Sequence, residues 1–267
     1  MKKLLCLVLA LVMCAGFAAC GQPAANDAQS DLAYIKEKGE MVIGITLFAP
    51  MNYNDENGEL TGFETEFAKA VCEKLGVTPK FQEINWDSKE IELNAKNIDC
   101  IWNGMTITEE RKQNMQVTDP YMNNRQVLVA KAENAEKYAE SVDGLAIVAE
   151  QGSTGEELAN NDEFFANANY TAVDSQAKGL LDVKAGTSDA VIVDYVLSIG
   201  SIGEGTDFED LVVVETKEFG VDPYGVAFRK GSDTEAEVTK IMKELAADGT
   251  LTKIAEKYKL QDLLTMK

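Results

Sequence analysis

Apolar residues recur along this chain in two alternating rhythms. Short runs rich in Val, Ile, Leu and Phe predict strands, and stretches with apolar residues three and four apart predict helices. The first pair is a strand over Met41–Leu47 and a helix over Phe63–Leu75. That helix has a stripe of Phe63, Phe67, Ala70, Val71 and Leu75 and a stop signal at Gly76. Between them, Asn54-Asp55-Glu56-Asn57-Gly58 predicts a turn, because Asn and Gly tolerate positive φ. The rhythm continues with a strand over 80–84, a short helix over 86–95, a strand over 98–102 and a helical turn over 107–112. An extended run over 126–130 and a short helix with connector over 132–142 follow. A second series then reads as strand 145–149, a helix from Thr154, strand 170–173, helix 175–185, strand 190–193, a helix from Tyr195 and strand 211–214. The run 224–228 predicts one further strand, and 235–247 and 251–258 predict helices around Asp248-Gly249. Strands alternating with helices imply parallel sheets with helices on both faces, here in two α/β lobes. The pattern leaves open which lobe owns the last two helices.

The first twenty residues stand apart from this rhythm. Lys2 and Lys3 precede a nearly continuous apolar run from Leu4 to Ala19. The run has the shape of a secretory signal and is too short for a stable membrane span. It ends in Phe17-Ala18-Ala19-Cys20-Gly21, which resembles a lipobox, in which the cysteine is lipidated and becomes the mature N-terminus. On that reading residues 1–20 are a lipoprotein signal peptide and Cys20 carries the anchor. The alternative is an ordinary signal cleaved near Ala19. Residues 21–30 are mostly small and polar, cannot bury enough apolar surface to order themselves, and read as a flexible tether.

The net charge is −20, and removing Lys2 and Lys3 with the signal leaves −22. This excludes a basic footprint for nucleic acid and flat adsorption on anionic lipid. Of the five cysteines, Cys6 and Cys14 leave with the signal, while Cys72 and Cys100 fall in helix and strand patterns that favour buried free thiols over a disulfide. There is no histidine, which removes histidine-dependent triads and most zinc sites. No metal and no cofactor is expected.

Gly62-Phe63-Glu64-Thr65-Glu66-Phe67 followed by the helix to Leu75 resembles the signature of the polar amino-acid solute-binding proteins, extracellular solute-binding protein family 3, which serve ATP-driven importers. The glycine closes a turn, and the acids favour a helix N-terminus. Asp99 to Arg111, with Asn103-Gly104-Met105-Thr106 at its centre, resembles the family segment that grips a ligand α-carboxylate. The resemblance gives Arg111 a bidentate pair with that carboxylate, Thr106 further donors, and the backbone at Asn103 and Gly104 a place beside the ligand. A planar guanidinium fork suits a planar carboxylate. The plainer alternative is a surface Arg111 paired with Glu109 or Glu110. Glu150-Gln151-Gly152-Ser153-Thr154 resembles the second-lobe anion site at a helix N-terminus, with Glu150, Ser153 and Thr154 as candidates, and would serve equally as an ordinary N-cap. Gly155 stands where relatives often carry a longer polar side chain.

Asp194, just past an apolar strand, faces the crevice at the strand's carboxyl end and by resemblance takes the α-ammonium; its alternative is a helix N-cap. Asp189 reads as a turn residue. Phe48 and Trp86 match aromatic pocket positions, Tyr53 is a candidate for the mouth, and Trp102 is expected to face the core. The resemblance covers nearly all of Ala33 to Leu260. It implies a two-lobed, type II periplasmic-binding-protein-like α/β fold with a parallel or mixed sheet in each lobe. Residues 31–126 and 221–267 form lobe 1, 127–220 form lobe 2, and two strands join them as a hinge.

The expected function is the extracytoplasmic, membrane-anchored binding subunit of an amino-acid ABC importer, a monomer whose partners are a free amino acid, a permease and its ATPase. Ile45-Thr46-Leu47 has no acid after the first strand, which weakens lysine, arginine or ornithine as ligands, although Glu150 offers an acid elsewhere. A neutral polar or sulfur-containing amino acid, such as glutamine or cystine, is favoured. The alternatives are a cyclohexadienyl-dehydratase-like enzyme on the same fold, for which the pocket segments offer Glu150 as a titratable acid, and a sensing module for a separate receptor. No enzymatic activity is expected on the main reading.

Overall fold

A computed structural model describes residues 30–267, and residues 31–267 form one compact unit. The expected signal peptide, the lipidation site Cys20 and the tether up to residue 29 lie outside the described residues.

The first helix, α1 (Asp31–Lys38), leads into β1 (Glu40–Ile45). A hairpin of β2 (Tyr53–Asn54) and β3 (Leu60–Thr61) follows, then α2 (Phe63–Leu75), β4 (Thr78–Glu83), α3 (Lys89–Asn94), β5 (Cys100–Ile101), α4 (Glu109–Asn114) and β6 (Met115–Val117). The chain crosses on β7 (Met122–Asn124). The second series is β8 (Gln126–Lys131), α5 (Ala135–Glu140), β9 (Ala146–Glu150), α6 (Thr154–Asn161), β10 (Asn169–Val173), α7 (Gln176–Ala185), β11 (Ala190–Asp194), α8 (Tyr195–Ser201) and β12 (Leu211–Val213). The chain returns on β13 (Asp222–Tyr224) to β14 (Ala227–Arg229), α9 (Thr234–Ala247) and α10 (Thr250–Lys257).

The helix α2 spans the predicted residues. Phe63, Phe67, Val71 and Leu75 are buried at helical spacing, and Gly76 at φ 79° closes the helix by donating to the Cys72 and Glu73 carbonyls. The strand β1 is buried along Met41–Ile45 on both faces, which explains its continuous apolar run. It is an interior strand of the first sheet, ordered β4-β1-β5-β14-β6, where β4 and β5 run parallel to it. The second sheet is ordered β10-β9-β11-β8-β12, with β8 antiparallel to both of its neighbours. The sheets are therefore mixed, and the fold is two-lobed α/β.

The predicted single strand over 224–228 is two strands. Asp222–Tyr224 pairs antiparallel with Met122–Asn124 as the two-strand connection between the sheets, and Ala227–Arg229 joins the first sheet. The break falls at Gly225, where a Cβ would stand 2.8 Å from Ile107 and 2.9 Å from Val117. The strand predicted over 98–102 shrinks to a two-residue ladder, and the helix over 86–95 begins as a 3-10 turn. The last two helices pack on α2, against the first sheet. Trp102 is fully buried and meets Phe67 edge-to-face at 5.2 Å, so it is a core residue as expected. Cys72 and Cys100 are buried and free, and burial pushes the Cys72 thiol up to about 12 and the Cys100 thiol well above its ordinary value.

Candidate functional site

The loop after β5 turns at Gly104, with φ 55°, and a Cβ there would stand 2.6 Å from the Phe48 ring edge. Only glycine fits both the backbone angle and the space. Glu64 lies beneath this loop, fully buried. It accepts from the Gly104 N–H at 2.8 Å, from the Asn52 amide at 2.8 Å and from the Tyr121 hydroxyl. The Asn103 side chain is spent on the neighbouring loop, accepting from the Thr46 N–H at 2.9 Å and donating to the Thr46 hydroxyl at 2.6 Å.

Helix α4 starts at Thr108, whose hydroxyl accepts from the Arg111 N–H at 3.1 Å as an N-cap. That cap turns Arg111 inward. Its side chain is buried, Nη1 donates to the Thr106 carbonyl at 2.9 Å, and Nη2 lies 3.5 Å from a Glu157 carboxylate oxygen across the cleft. Glu109 pairs instead with Lys112, and the surface alternative for Arg111 is not what forms.

On the facing side, β9 ends at Glu150 and the chain turns through Gly152 at φ 72°. The Ser153 hydroxyl caps α6 by accepting from the Glu156 N–H at 3.1 Å, and the Glu156 carboxylate reaches back to the Gly152 N–H at 2.6 Å. This capping-box arrangement leaves the N-terminal turn of α6 facing the cavity. Gly155 is held close to β11: a Cβ there would meet Ile192 and the Gln126 side chain at 3.3 Å.

Asp194 occupies the N-cap position of α8 but makes no capping bond. Its carboxylate instead accepts from three side-chain amides, those of Asn124, Gln126 and Gln176, while its own N–H donates to the Gln176 carbonyl oxygen at 2.8 Å. Asp189 holds the start of β9 through the Ala146 N–H at 2.8 Å, a structural role in the turn.

Trp86, Asn103, Gly104, Thr106 and Arg111 from one side, and Glu150, Ser153, Thr154 and Asp194 from the other, line a single cavity. Nine of the eleven candidate residues named from the sequence thus converge. The exceptions are Phe48, buried with its ring edge below Gly104, and Tyr53, which lies in β2 and does not line the cavity. Gln176 completes the lining. The space is narrow, about 10 Å³, room for one water molecule. Lys89 is buried over the Trp86 ring at 4.8 Å, donating to the Trp86 carbonyl at 3.2 Å and to the Gly152 carbonyl at 2.9 Å.

Gln176, Gln126, Asn124, Glu64 and Lys89 are contributors that sequence reasoning missed. Glu64 was visible as an acid in the helix signature, but only as a partner for the helix dipole. The amides sit in ordinary strand and helix patterns and carry no local signal.

Burial dominates the electrostatics. It pushes Glu150 up to about 8, aided by the nearby Asp194 charge, and Glu64 up to about 7 against three hydrogen bonds that favour ionisation. Asp194 is raised by burial although its amide partners favour the ionised form, and Lys89 is lowered to about 8 by burial and by Arg111. Glu64 and Glu150 therefore hold protons in the folded chain that an unfolded chain has released by about pH 5. Their contribution falls as pH rises from about 4.5 to about 8. The ligand-free protein is expected to unfold at a temperature a few degrees higher at pH 5.5 than at pH 8. A scan showing the reverse order would contradict the burial of these two acids.

The family model for bacterial extracellular solute-binding proteins, family 3, matches residues 41–261. The L-cystine-binding protein TcyA of Bacillus subtilis (strain 168) is 32% identical over 275 residues, covering 98% of this chain and 99% of that protein. A crystal structure of an ABC uptake transporter substrate binding protein from Streptococcus pneumoniae with bound histidine superposes with a TM-score of 0.80 at 28% identity, covering 89% of this chain and 99% of that one. The ancestral amino acid-binding protein AncCDT-1, a precursor of cyclohexadienyl dehydratase, superposes with a TM-score of 0.75 at 30% identity, over 86% of this chain and 99% of that one.

Proposed function

The chain belongs to the bacterial extracellular solute-binding proteins of family 3, and from that premise we propose that it is the extracytoplasmic substrate-binding subunit of an amino-acid ABC importer. It takes a free amino acid between two closing lobes, residues 31–126 with 221–267 and residues 127–220, and acts as a monomer. The observation that carries this reading is the pairing of Arg111 and Asp194 in one cavity, from opposite sides.

A zwitterion needs both of its charges met when buried. Arg111 takes the α-carboxylate; Glu157 now lies at the guanidinium edge that this carboxylate would use. Thr106, Ser153 and Thr154 supply further donors, helped by the N-terminus of α6. Asp194, held by three amides and lacking a cationic partner among the described residues, takes the α-ammonium. The cavity is too narrow for an amino acid, so the ligand enters when the lobes part and replaces cross-cleft contacts such as Arg111 to Glu157. That is closure driven by contacts only the shut form satisfies. Charge-assisted hydrogen bonds of about 1.5–3 kcal/mol each are enough for micromolar binding, about −8 kcal/mol, after ordering costs.

A neutral polar or sulfur-containing amino acid is the favoured ligand. A thermal-shift screen over the twenty amino acids, cystine and ornithine is the direct test: a tight ligand in excess stabilises by roughly 3–4 kcal/mol, and a screen in which nothing moves the transition would refute the assignment. Lipidation at Cys20 accounts for retention at the membrane. Partition of the full chain into detergent, lost in Cys20→Ser, tests that part.

A second reading is turnover of a carboxylated ring by elimination. The raised Glu150 in the cavity favours it, because a dehydratase needs a proton donor near neutral pH. Incubation with prephenate or arogenate separates the two: product formation identifies an enzyme, and its absence leaves binding.

A further inference from the structure

We propose that Glu150 reads the far end of the ligand's side chain, so that the site selects amino acids ending in a hydrogen-bond donor. This rests on the amino-acid-binding reading above and specifies its substrate class.

The other charged groups lining the cavity are already engaged. Arg111 has the Thr106 carbonyl and Glu157, and Asp194 has its amides. Glu150 differs. It is 5% exposed, it lines the same cavity, and its Oε1 has no hydrogen-bond partner. An unpaired buried carboxyl oxygen costs free energy wherever it stands, so its partner belongs to whatever fills the space.

The α-carboxylate and α-ammonium do not need Glu150, because Arg111 and Asp194 answer them. What remains is the side chain. An amide N–H can donate to the bare oxygen of this carboxyl whether or not it carries its proton, and a distal ammonium or guanidinium would itself favour the ionised, accepting form. An ionised acidic side chain brings no donor for that oxygen, and a thioether would leave it bare. Lys89 does not satisfy it: the ammonium donates to the Trp86 and Gly152 carbonyls, and the Glu150 oxygen stays without a partner. The nearby Lys89 charge and the Gln176 amide only partly offset the rise that burial imposes on Glu150. Glutamine and cystine both fit, through an amide and a distal ammonium. Ornithine also fits, although the segment after β1 carries no acid.

The test is calorimetry on the intact protein and on Glu150→Ala with glutamine, cystine, ornithine and methionine, the last lacking a distal donor. The unaltered protein is expected to bind at least one of the first three about tenfold more tightly than methionine. Glu150→Ala is expected to erase about tenfold of that preference while leaving methionine within about threefold. Thermal unfolding should show the variant folded, because removing an unpaired buried carboxyl relieves a cost. If all ligands weaken together, or if the preference survives the substitution, Glu150 is not the reader. If none of the four binds the unaltered protein while the wider screen finds another amino acid that does and whose side chain ends in no donor, this proposal fails and the amino-acid reading stands; if no amino acid binds, both fail.

Discussion

Arg111→Ala is expected to weaken amino-acid binding by about 3–5 kcal/mol, a loss of roughly two to three and a half orders of magnitude in affinity. The reason is the asymmetry of a buried charge pair. Truncation removes the guanidinium and also leaves the ligand carboxylate in a closed space with only neutral donors. The guanidinium is prepaid in position: Thr108 caps the turn that carries it, and the Thr106 carbonyl fixes one edge at 2.9 Å. Lysine at this position restores charge but not the fork, so Arg111→Lys should fall between the two. The ligand-free fold should be nearly unaffected, because the Glu157 left behind is 49% exposed and can be hydrated. Titration calorimetry decides the matter, and a loss of only a few-fold would remove Arg111 from the site.

Gly62→Ala is the substitution expected to damage the fold most. Gly62 sits at φ 126° and ψ 167°, a region that L residues rarely enter. A Cβ there would stand 2.2 Å from the Met51 carbonyl oxygen and 2.6 Å from its carbon. Those are main-chain atoms, and they cannot swing away as a side-chain end can. The Met51 carbonyl also accepts the Glu64 N–H at 3.0 Å, and Asn52 next to it holds Glu64 and Asn103. Strain and collision together should cost about 3 kcal/mol or more. Because the displaced segment carries Glu64, which supports Gly104, ligand affinity should fall with stability. Urea unfolding gives the measurement, and a change below about 1 kcal/mol would mean that the turn relaxes without harm.

Legibility in the sequence followed how local each cause is. The helix α2 was readable to the residue because its stripe and its terminal glycine are local physics. The run 224–228 reads as one strand because its apolar character is continuous; the interruption falls at Gly225, packed so close to Ile107 and Val117 that no Cβ would fit, a proximity invisible along the chain. Arg111 and Asp194 stand out only through family likeness, since each alone reads as a surface ion pair or a helix cap. The amides around Asp194 come from β7, β8 and α7 and converge only in three dimensions. Glu64 illustrates a different failure. Two acids at a helix start look like dipole partners, and Glu66 does lie nearer the surface, taking the Tyr258 hydroxyl at 2.6 Å. Burial under a loop some forty residues away, with the Gly104 N–H at 2.8 Å, is what separates Glu64 from its neighbour.

The state of Cys72 and Cys100 bears on what the protein can safely carry. Exchange with a disulfide begins with a thiolate, and these two sulfurs are held in their protonated form and screened from solvent. A solute that itself contains a sulfur–sulfur bond would therefore pass through the binding step unreacted. Mixed-disulfide adducts with this pair should not accumulate even under the oxidising conditions found outside the cytoplasm.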